Sequence, residues 1–379
     1  MSEKVWKGSV DWAMFTIAFV LSLLGLLTMS TFTQGDPFFV RQTGWILIGV
    51  LAFFAASSID WRLLRRSGVA AILYSLMLVP LVALIFIGST TQGAKSWFDL
   101  GPFALQPVEF VKLALIIALA KYFSRRHTEI RNIRHILISG AYMFIVFALV
   151  ALQPDFGSAL IVFAIWLGMV LISGISRWHL IAIFLIGITA FAGLWFFGFK
   201  EYQKERIMTF LHPLADIHGA GYNAYQSTIA VGSGELIGKG IGYGSQSKLR
   251  FLPEYQTDFI FAAYAEEWGF IGICLVFILY GMLFVRIVSV AARGATNFET
   301  LFGYGILFYF LAHFSLHVGI NMGLLPVTGT TIPFMSYGGS HLLVEFTALG
   351  ILSAMRGYSR AAPRESFAKE FSGGYSRVE

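Results

Sequence analysis

Residues 250–267 read RFLPEYQTDFIFAAYAEE, and in this stretch a long hydrophilic segment gives way to an apolar helix. The hydrophilic part ends at Pro253, and the apolar run begins at Asp258 or Phe259. An acidic side chain therefore lies where water meets hydrocarbon. The helix dipole favours a carboxylate at a helix N-terminus, whereas the low dielectric beneath it raises its proton affinity. Together these two effects can poise Asp258 as a base.

An ordinary helix cap is the alternative interpretation, because Thr257 or Asp258 would serve as an N-cap. Further charged residues accompany Asp258, however, in the loop end and the first helical turns: Arg250, Glu254, Glu266 and Glu267. Acidic residues in membrane segments are rare, and those that occur usually have a function. We therefore treat Asp258 as the candidate catalytic residue.

The composition is that of a polytopic membrane protein. Of the 379 residues, 57% are hydrophobic and 13% are charged, and the mean hydropathy is +0.72. A net charge of +6 could indicate nucleic-acid binding, but the basic residues are scattered over short loops between apolar runs. Membrane topology explains that pattern, so no nucleic-acid partner is expected. The single cysteine, Cys274, excludes a disulfide within the chain and a thiolate metal site.

Ten apolar runs have the length of a spanning helix, which predicts an all-α polytopic membrane protein with ten transmembrane helices. The runs are residues 12–31, 40–58, 68–88, 106–122, 134–152, 157–174, 178–198, 258–285, 300–323 and 341–356. The first run is too long for a signal-peptide core, so we expect it to be retained. The membrane domain then covers residues 1–356, includes one long loop at 199–257, and precedes a polar tail at 357–379.

The distribution of basic residues predicts the orientation in the membrane. Assigning the loops alternately to two sides places 18 of the 27 Lys and Arg residues on the side that carries both termini. The opposite side receives Arg41, Lys95 and six residues of the long loop, while Lys112 lies inside a helix. The positive-inside rule therefore predicts cytoplasmic termini and an extracellular loop at 199–257.

Glu109 and Lys112 lie inside a hydrophobic helix that starts at Gln106-Pro107. Residues three positions apart share a helix face, so the two charges can neutralise each other. Each charge alone would cost about 2.5–3.5 kcal/mol at the centre of a bilayer. Two interpretations stay open: an internal structural pair, or a pair lining a cavity that opens to the outer leaflet.

Basic residues of the long loop could receive a phosphate or pyrophosphate, with the glycine-rich run GKGIGYG supplying backbone N–H groups. The residues with this potential are Arg206, Lys239, Lys248 and Arg250. A solvated loop surface is the competing interpretation, and we prefer it for Lys204 and Lys248. The glycine-rich run lacks the order of residues of a nucleotide-binding P-loop.

Between the last two predicted helices runs LPVTGTTIPFMSYGGS, residues 325–340. Its prolines, glycines and nearly uncharged polar residues predict a re-entrant segment facing a cavity. Ser336 has no base beside it in the sequence, so we do not interpret it as a nucleophile. The sequence contains no HExxH, CxxC or Walker pattern.

These pieces resemble the SEDS family (shape, elongation, division and sporulation), and within it the RodA branch more than the FtsW branch. The matching segments are QPVEFVK (106–112), QPDFGSAL (153–160), YQKERIMTFLHP (202–213), GYNAYQSTIAVGSGELIGKG (221–240), GSQSKLRFLPEYQTDFIFAAYAEEWG (244–269) and LLPVTGTTIPFMSYGGS (324–340). They occur in family order over most of the chain. His212 departs from the family pattern, which has Asp-Pro where this chain has His-Pro.

The resemblance implies a peptidoglycan glycosyltransferase that polymerises lipid II during cell elongation, on the outer face of the bacterial cytoplasmic membrane. Its implied partner is a class B penicillin-binding protein, a transpeptidase. Asp258 corresponds to the family's essential aspartate and would act as general base. The expected substrate-binding residues are Arg206, Lys239, Gln246, Arg250, Glu109 and Lys112. A divalent cation, Mg²⁺ or Mn²⁺, is a candidate cofactor because pyrophosphate binds one. A lipid II flippase and a non-catalytic scaffold for a cell-wall synthase are the alternatives.

Two positions where the family resemblance implies Asn carry ionisable residues in this chain, His317 and Glu345. His313 and His317 share one face of the ninth predicted helix, while His341 and Glu345 share one face of the tenth. We hypothesise that His317 and Glu345 contact each other. The alternative is that Glu345 turns towards water or headgroups and His317 contacts a backbone carbonyl.

Overall fold

The computed structural model describes residues 10–30, 38–91, 94–99, 104–125, 132–199, 201–212, 221–249, 251–252 and 254–361. Its α-helices are Trp12–Ser30 (α1), Phe38–Ser58 (α2), Ser67–Ile87 (α3), Pro107–Ser124 (α4), Ile133–Leu152 (α5), Phe156–Ile172 (α6), Arg177–Gly193 (α7), Glu201–Leu211 (α8), Tyr222–Ser233 (α9), Ser245–Lys248 (α10), Ile260–Ala291 (α11), Asn297–Asn321 (α12) and Gly339–Ala361 (α13). A long helix lies on each of the ten predicted apolar runs, and α9 coincides with a segment of periodic hydrophobicity in the long loop.

Seven of the helices in the described residues are long and apolar enough to cross a membrane. The chain is therefore a multi-pass membrane protein of the all-α class, as the sequence predicts. The number of ten crossings stays a prediction. The last helix continues to Ala361, past the predicted end at residue 356, and the rest of the tail lies outside the described residues.

A small antiparallel sheet precedes α4, in a segment for which the sequence predicted no regular structure. Its strands are Ser89–Thr91 (β1), Ala94–Asp99 (β2) and Ala104–Leu105 (β3), in the order β1-β2-β3. Trp97 and Phe98 lie in the central strand, and aromatic residues favour strands. The sheet leads the chain directly into Gln106, the residue before α4.

Small residues bring the long helices together at the centre of the bundle. A Cβ atom built on Gly350 of α13 would lie 2.6 Å from the backbone oxygen of Phe53 on α2. Such close approach is typical of membrane helices, where dispersion contacts between backbones replace hydrophobic driving force. By contrast, α7 has no buried residue in the described structure and lies at the periphery.

Helix α11 is interrupted at Gly269, whose φ of 64° and ψ of −163° are not helical. Backbone groups freed by the break pair with a segment of the long loop. Lys239 N–H donates to Glu266 O at 3.0 Å, and Phe270 N–H donates to Glu235 O at 2.9 Å. The loop thereby satisfies polar backbone groups that a spanning helix cannot leave unpaired.

One buried carboxylate ties three helices together at the end of the bundle that carries the start of α1. Asp11 accepts hydrogen bonds from Arg286 of α11 at 2.8 Å and from Arg356 of α13 at 2.6 Å. Burial alone would raise the pKa of the Asp11 carboxyl, but the Arg286 hydrogen bond and the Arg356 charge hold that pKa below its ordinary value. This clasp fixes the end of the bundle opposite the turn that carries Asp258.

Candidate active site

Asp258 lies in a tight turn, residues 254–259, immediately before α11. The N–H groups of Thr257 and Asp258 both donate to Glu254 O at 3.1 Å. The N-cap position of α11 is Phe259, and no side chain caps it. The ordinary-cap interpretation of Thr257 and Asp258 is therefore wrong, and the Asp258 carboxyl is left for another role.

Asn321, at the end of α12, fixes the position of this turn. Its side-chain amide donates to Asp258 O at 2.9 Å, and its side-chain oxygen accepts from Ala262 N–H at 3.1 Å. One buried side chain thus holds both the turn and the first helical residues. This role of Asn321 could not be predicted from the sequence, because its two partners lie about sixty positions away in the chain.

The surroundings of Asp258 raise the proton affinity of its carboxyl. The residue is half-buried. Burial raises the pKa of Asp258 to about 7, and the charges of Glu254 and Asp155 add to that effect, while Arg206 on α8 opposes it. A carboxyl with a pKa close to the working pH is suited to take a proton in one step and release it in the next.

Asp155 is the second carboxyl at this end of the bundle. It caps α6, as its sequence position suggests, with Oδ1 accepting from Ser158 N–H at 3.0 Å. Burial also raises the pKa of Asp155. Its electrostatic contact with Asp258 was not predicted, although its presence in the family-like segment QPDFGSAL was a signal that could have marked it.

The segment 325–340 packs directly against the Asp258 turn. Ser336 Oγ donates to Thr257 O at 2.8 Å, and Tyr337 N–H donates to Gln256 O at 2.9 Å. A Cβ atom built on Gly329 would lie 3.2 Å from Asp258 Oδ2. The segment is irregular before α13, with residues 332–336 buried and residues 325–329 half-buried or exposed, and Ser336 has a structural role in it. Its re-entrant character stays a prediction.

Glu109 and Lys112 form the predicted ion pair, with Lys112 Nζ 2.7 Å from Glu109 Oε1. Lys112 also lies 3.1 Å from His313 Nε2, and Glu109 accepts from Tyr309 OH at 3.1 Å. Both charged residues are buried, with Lys112 at 0% and Glu109 at 3% exposure. The pair therefore does not line an open groove in this structure, and its predicted role in substrate binding stays a prediction.

The hypothesised contact between His317 and Glu345 does not form, and each of the two residues contacts a different partner. His341 lies between two carboxylates, 3.2 Å from Glu109 and 2.8 Å from Glu345. His317 Nδ1 instead lies 2.6 Å from Thr330 O, which is the backbone partner that the alternative foresaw. His317 and His341 face different partners because rotation of each helix about its axis, which the sequence does not specify, decides which residues meet.

A metal site within the bundle does not fit these residues. Glu109, His313 and His341 are the one group of His, Cys, Asp and Glu side chains in the described residues whose potential ligand atoms lie within 4.8 Å of one another. The ammonium group of Lys112, however, contacts both Glu109 and His313. A positive charge already neutralises the carboxylate and faces the imidazole nitrogen, so the cluster does not suit a divalent cation.

Lys239 and Gln246 surround a different acidic residue, Glu266 of α11. Lys239 Nζ lies 2.6 Å from Glu266 Oε1, and the backbone N–H of Gln246 donates to Glu266 Oε2 at 3.1 Å. The Lys239 charge is thus engaged with a fully buried carboxylate, which makes it part of the loop attachment. The Gln246 side-chain oxygen is buried with no hydrogen-bond partner in the described part of the chain.

Of the predicted basic residues, Arg206 is the one that the structure places within electrostatic range of Asp258. It is exposed on α8. Arg250 lies outside the described residues, as does Pro213 of the His212-Pro213 departure. The site therefore combines a half-buried carboxyl with raised pKa, two further carboxyls and an exposed guanidinium. Such a site can accept a proton from a bound hydroxyl group while a cation meets an anionic leaving group.

Comparison with known proteins identifies the family of the chain. Residues 5–361 match the family model of FtsW, RodA and SpoVE, described as cell cycle proteins. The peptidoglycan glycosyltransferase MrdB of Escherichia coli is 36% identical over 343 residues, covering 89% of this chain and 92% of the relative. Stage V sporulation protein E of Bacillus subtilis is 34% identical, covering 93% of this chain and 99% of the relative.

Solved structures show the same fold. A chain of a peptidoglycan synthase complex, studied for its coordination of polymerization and crosslinking, matches with a TM-score of 0.79 and 28% identity over 92% of this chain and 98% of that chain. The rod shape determining protein RodA of Thermus thermophilus matches with a TM-score of 0.69 and 28% identity over 92% of this chain and 97% of that one. The chain thus belongs to the FtsW/RodA/SpoVE family of cell cycle proteins.

Proposed function

We propose that this protein is a peptidoglycan glycosyltransferase that polymerises lipid II into glycan strands during cell elongation, with Asp258 as general base. The observation that carries this proposal is the half-buried carboxyl of Asp258, whose pKa is raised to about 7 by burial and neighbouring acids. The names of the relatives support the activity, since MrdB of Escherichia coli is named a peptidoglycan glycosyltransferase and FtsW of Haemophilus influenzae a probable one.

In the proposed reaction, Asp258 takes the proton from the 4-hydroxyl of the acceptor sugar as its oxygen attacks the anomeric carbon of the donor. A new glycosidic bond forms, the bond from that carbon to the pyrophosphate oxygen breaks, and the configuration at the carbon inverts. Polyprenyl pyrophosphate leaves with the bonding electrons. Arg206 would stabilise the departing charge, which its electrostatic effect on Asp258 supports, and Arg250 is the second predicted residue for this role.

A divalent cation, in this proposal, arrives bound to the pyrophosphate rather than in a preformed protein site. Support comes from the buried cluster of Glu109, His313 and His341, the one group of potential metal ligands found in the described residues. The Lys112 ammonium already occupies a position beside these ligands. No step of the proposed proton transfer depends on the metal. Removal of divalent cations would then weaken donor binding without changing the fold.

The proposed setting is the bacterial cytoplasmic membrane, with both termini in the cytoplasm and the Asp258 turn at the outer face. The distribution of basic residues supports this orientation. The proposed partner is a class B penicillin-binding protein, which would crosslink the strands. Support comes from the structural match to a chain of a peptidoglycan synthase complex.

Purified protein in detergent, supplied with lipid II with and without such a partner, tests the proposal. We expect glycan polymer from the unmodified protein and a loss of about 10²–10⁴-fold in Asp258→Asn, whose amide keeps the shape but cannot take a proton. Asp99→Asn, at an exposed aspartate of β2, is the matched control and should retain activity.

Two outcomes would contradict the proposal. Absence of polymer under all conditions would favour a flippase or a scaffold, since flipping has no meaning in detergent. A loss of activity of less than tenfold in Asp258→Asn would contradict the general-base role of Asp258, but not the polymerase activity.

A further inference from the structure

We propose, resting on the function proposed above, that His313 and His317 are positioning residues that hold residues 329–331 against the Asp258 carboxyl through their Nδ1–H groups. Neither ring is placed to touch substrate, since both histidines are buried within the bundle, at 2% and 0% exposure. They would act on the reaction by fixing the backbone that packs against its base.

Gly329 provides the contact with the catalytic carboxyl. Its φ of 68° is a left-handed conformation, and a Cβ atom there would lie 3.2 Å from Asp258 Oδ2. Residue 329 is itself exposed, and its backbone therefore forms a wall that covers one side of the half-buried Asp258 carboxyl. Movement of this wall would admit water, which stabilises the charged carboxylate and weakens it as a base.

The next two residues of the chain are held by the two histidines. His317 Nδ1 lies 2.6 Å from Thr330 O, and His313 Nδ1 lies 3.2 Å from Thr331 O. A backbone carbonyl only accepts hydrogen bonds, so each Nδ1 must carry the proton. Because the histidines are one helical turn apart on α12, they grip consecutive carbonyls from the same face.

The other ring nitrogens have different surroundings. His313 Nε2 faces the Lys112 ammonium at 3.1 Å, and an ammonium only donates, which fixes His313 as the neutral Nδ1–H tautomer. His317 Nε2 is buried with no hydrogen-bond partner in the described residues. His317 thus makes its hydrogen bond through Nδ1 alone, whereas both ring nitrogens of His313 have polar partners. His317 is therefore the better residue to test.

Contacts farther along the segment hold its remaining part independently. Phe334 N–H donates to Glu345 Oε2 at 2.8 Å, Tyr280 OH donates to Pro333 O, and Ser336 bonds the Asp258 turn. These anchors keep residues 333–336 in place when a histidine is replaced. Loss of a histidine should therefore displace residues 329–331 locally rather than unfold the segment.

Comparison of His317→Asn with His317→Gln separates the two nitrogens. In Asn the amide nitrogen is two bonds from Cβ, as Nδ1 is, whereas in Gln it is three bonds away, as Nε2 is. We expect His317→Asn to keep its hydrogen bond to Thr330 O and to polymerise lipid II within about threefold of the unmodified protein. His317→Gln should lose tenfold or more in kcat with little change in KM, since the substrate-facing groups are unaltered.

The pH profile gives a readout that a purely structural role would not move. The charged groups that act on Asp258 are Glu254 of its own turn, Asp155 at the start of α6 and Arg206 of α8, and both variants retain them. In His317→Gln the acidic limb of kcat should move to lower pH, because water reaches the carboxyl. In His317→Asn it should stay in place.

Thermal unfolding of both variants, with His179→Gln on the peripheral helix α7 as control, shows whether they are folded. The comparison is repeated with His313→Asn and His313→Gln if His317→Gln does not yield folded protein. Equal kcat in the folded Asn and Gln variants would overturn the inference. An increase in KM with unchanged kcat in His317→Gln would also overturn it. Absence of polymer from the unmodified protein would instead contradict the proposed function.

Discussion

Breaking the buried pair of Glu109 and Lys112 should destabilise the protein far more than breaking an exposed pair of the same kind. The two side chains meet at 2.7 Å with 4% and 0% exposure. Removing one partner of a buried ion pair costs about 3–5 kcal/mol, because the other charge is left without compensation. We expect Glu109→Gln at the upper end of this range, since the buried Lys112 ammonium then loses its carboxylate partner and faces neutral groups, among them the His313 nitrogen.

Lys112→Met should lie at the lower end of the same range. Its side chain keeps the volume of the lysine stem, and Glu109 retains the Tyr309 hydroxyl and the neighbouring His341. The double variant should be more stable than the sum of the single losses predicts, by about 0.5–3 kcal/mol. The measurement is the free energy of unfolding in mixed micelles, with activity recorded in parallel.

Glu201 and Lys204 on α8 provide the control, because they have the same residue types, order and spacing as the buried pair. They lie 3.5 Å apart with 86% and 29% exposure. The coupling of such an exposed pair is typically about 0.3–0.5 kcal/mol. A buried-pair coupling no larger than that of Glu201 and Lys204, or strictly additive losses, would refute the reasoning.

Three further outcomes are expected. Since Asp258 must be unprotonated to act as a base and its pKa is about 7, kcat should fall about tenfold per pH unit below pH 7, and a midpoint near pH 4 would contradict this. Gly329→Ala places a Cβ atom 3.2 Å from Asp258 Oδ2 at a φ of 68°, so kcat should drop and stability should fall by about 1–2 kcal/mol, whereas Gly232→Ala, with open space around it, serves as control. On a Cys274→Ser background, Tyr243→Cys in the long loop should react with an impermeant reagent in intact cells. Ala292→Cys, at the other end of α11, should not react; both positions are exposed, and equal labelling of the two from outside would contradict the predicted orientation.

The sequence specified the helices and the candidate base through local and compositional signals. Apolar runs of spanning length follow from the requirement that backbone groups in hydrocarbon be satisfied within each segment. The contact of Glu109 with Lys112 follows from helical spacing alone. Asp258 was recognisable because it follows a polar loop and precedes an apolar helix, two features that adjacent residues define.

Contacts between helices could not be predicted in this way. His341 meets Glu109 and Glu345 together, and Lys239 meets Glu266, although each pair of helices or loops offers several plausible partners. Hydropathy gives the length of a membrane helix but neither its tilt nor its rotation about its axis. The hypothesised contact of His317 with Glu345 failed for that reason.

The amino-acid sequence alone determined the fold class, the apolar segments, the Glu109–Lys112 pair and the position of Asp258, because each depends on residues close together in the chain. Only the tertiary structure decided what surrounds Asp258. Asp155, Asn321 and Gly329 come from three separate parts of the chain, and they reach the turn through the packing of α6, α12 and the segment before α13. The pKa of the proposed base depends on burial and charge supplied by these distant elements, so it is a property of the packed bundle.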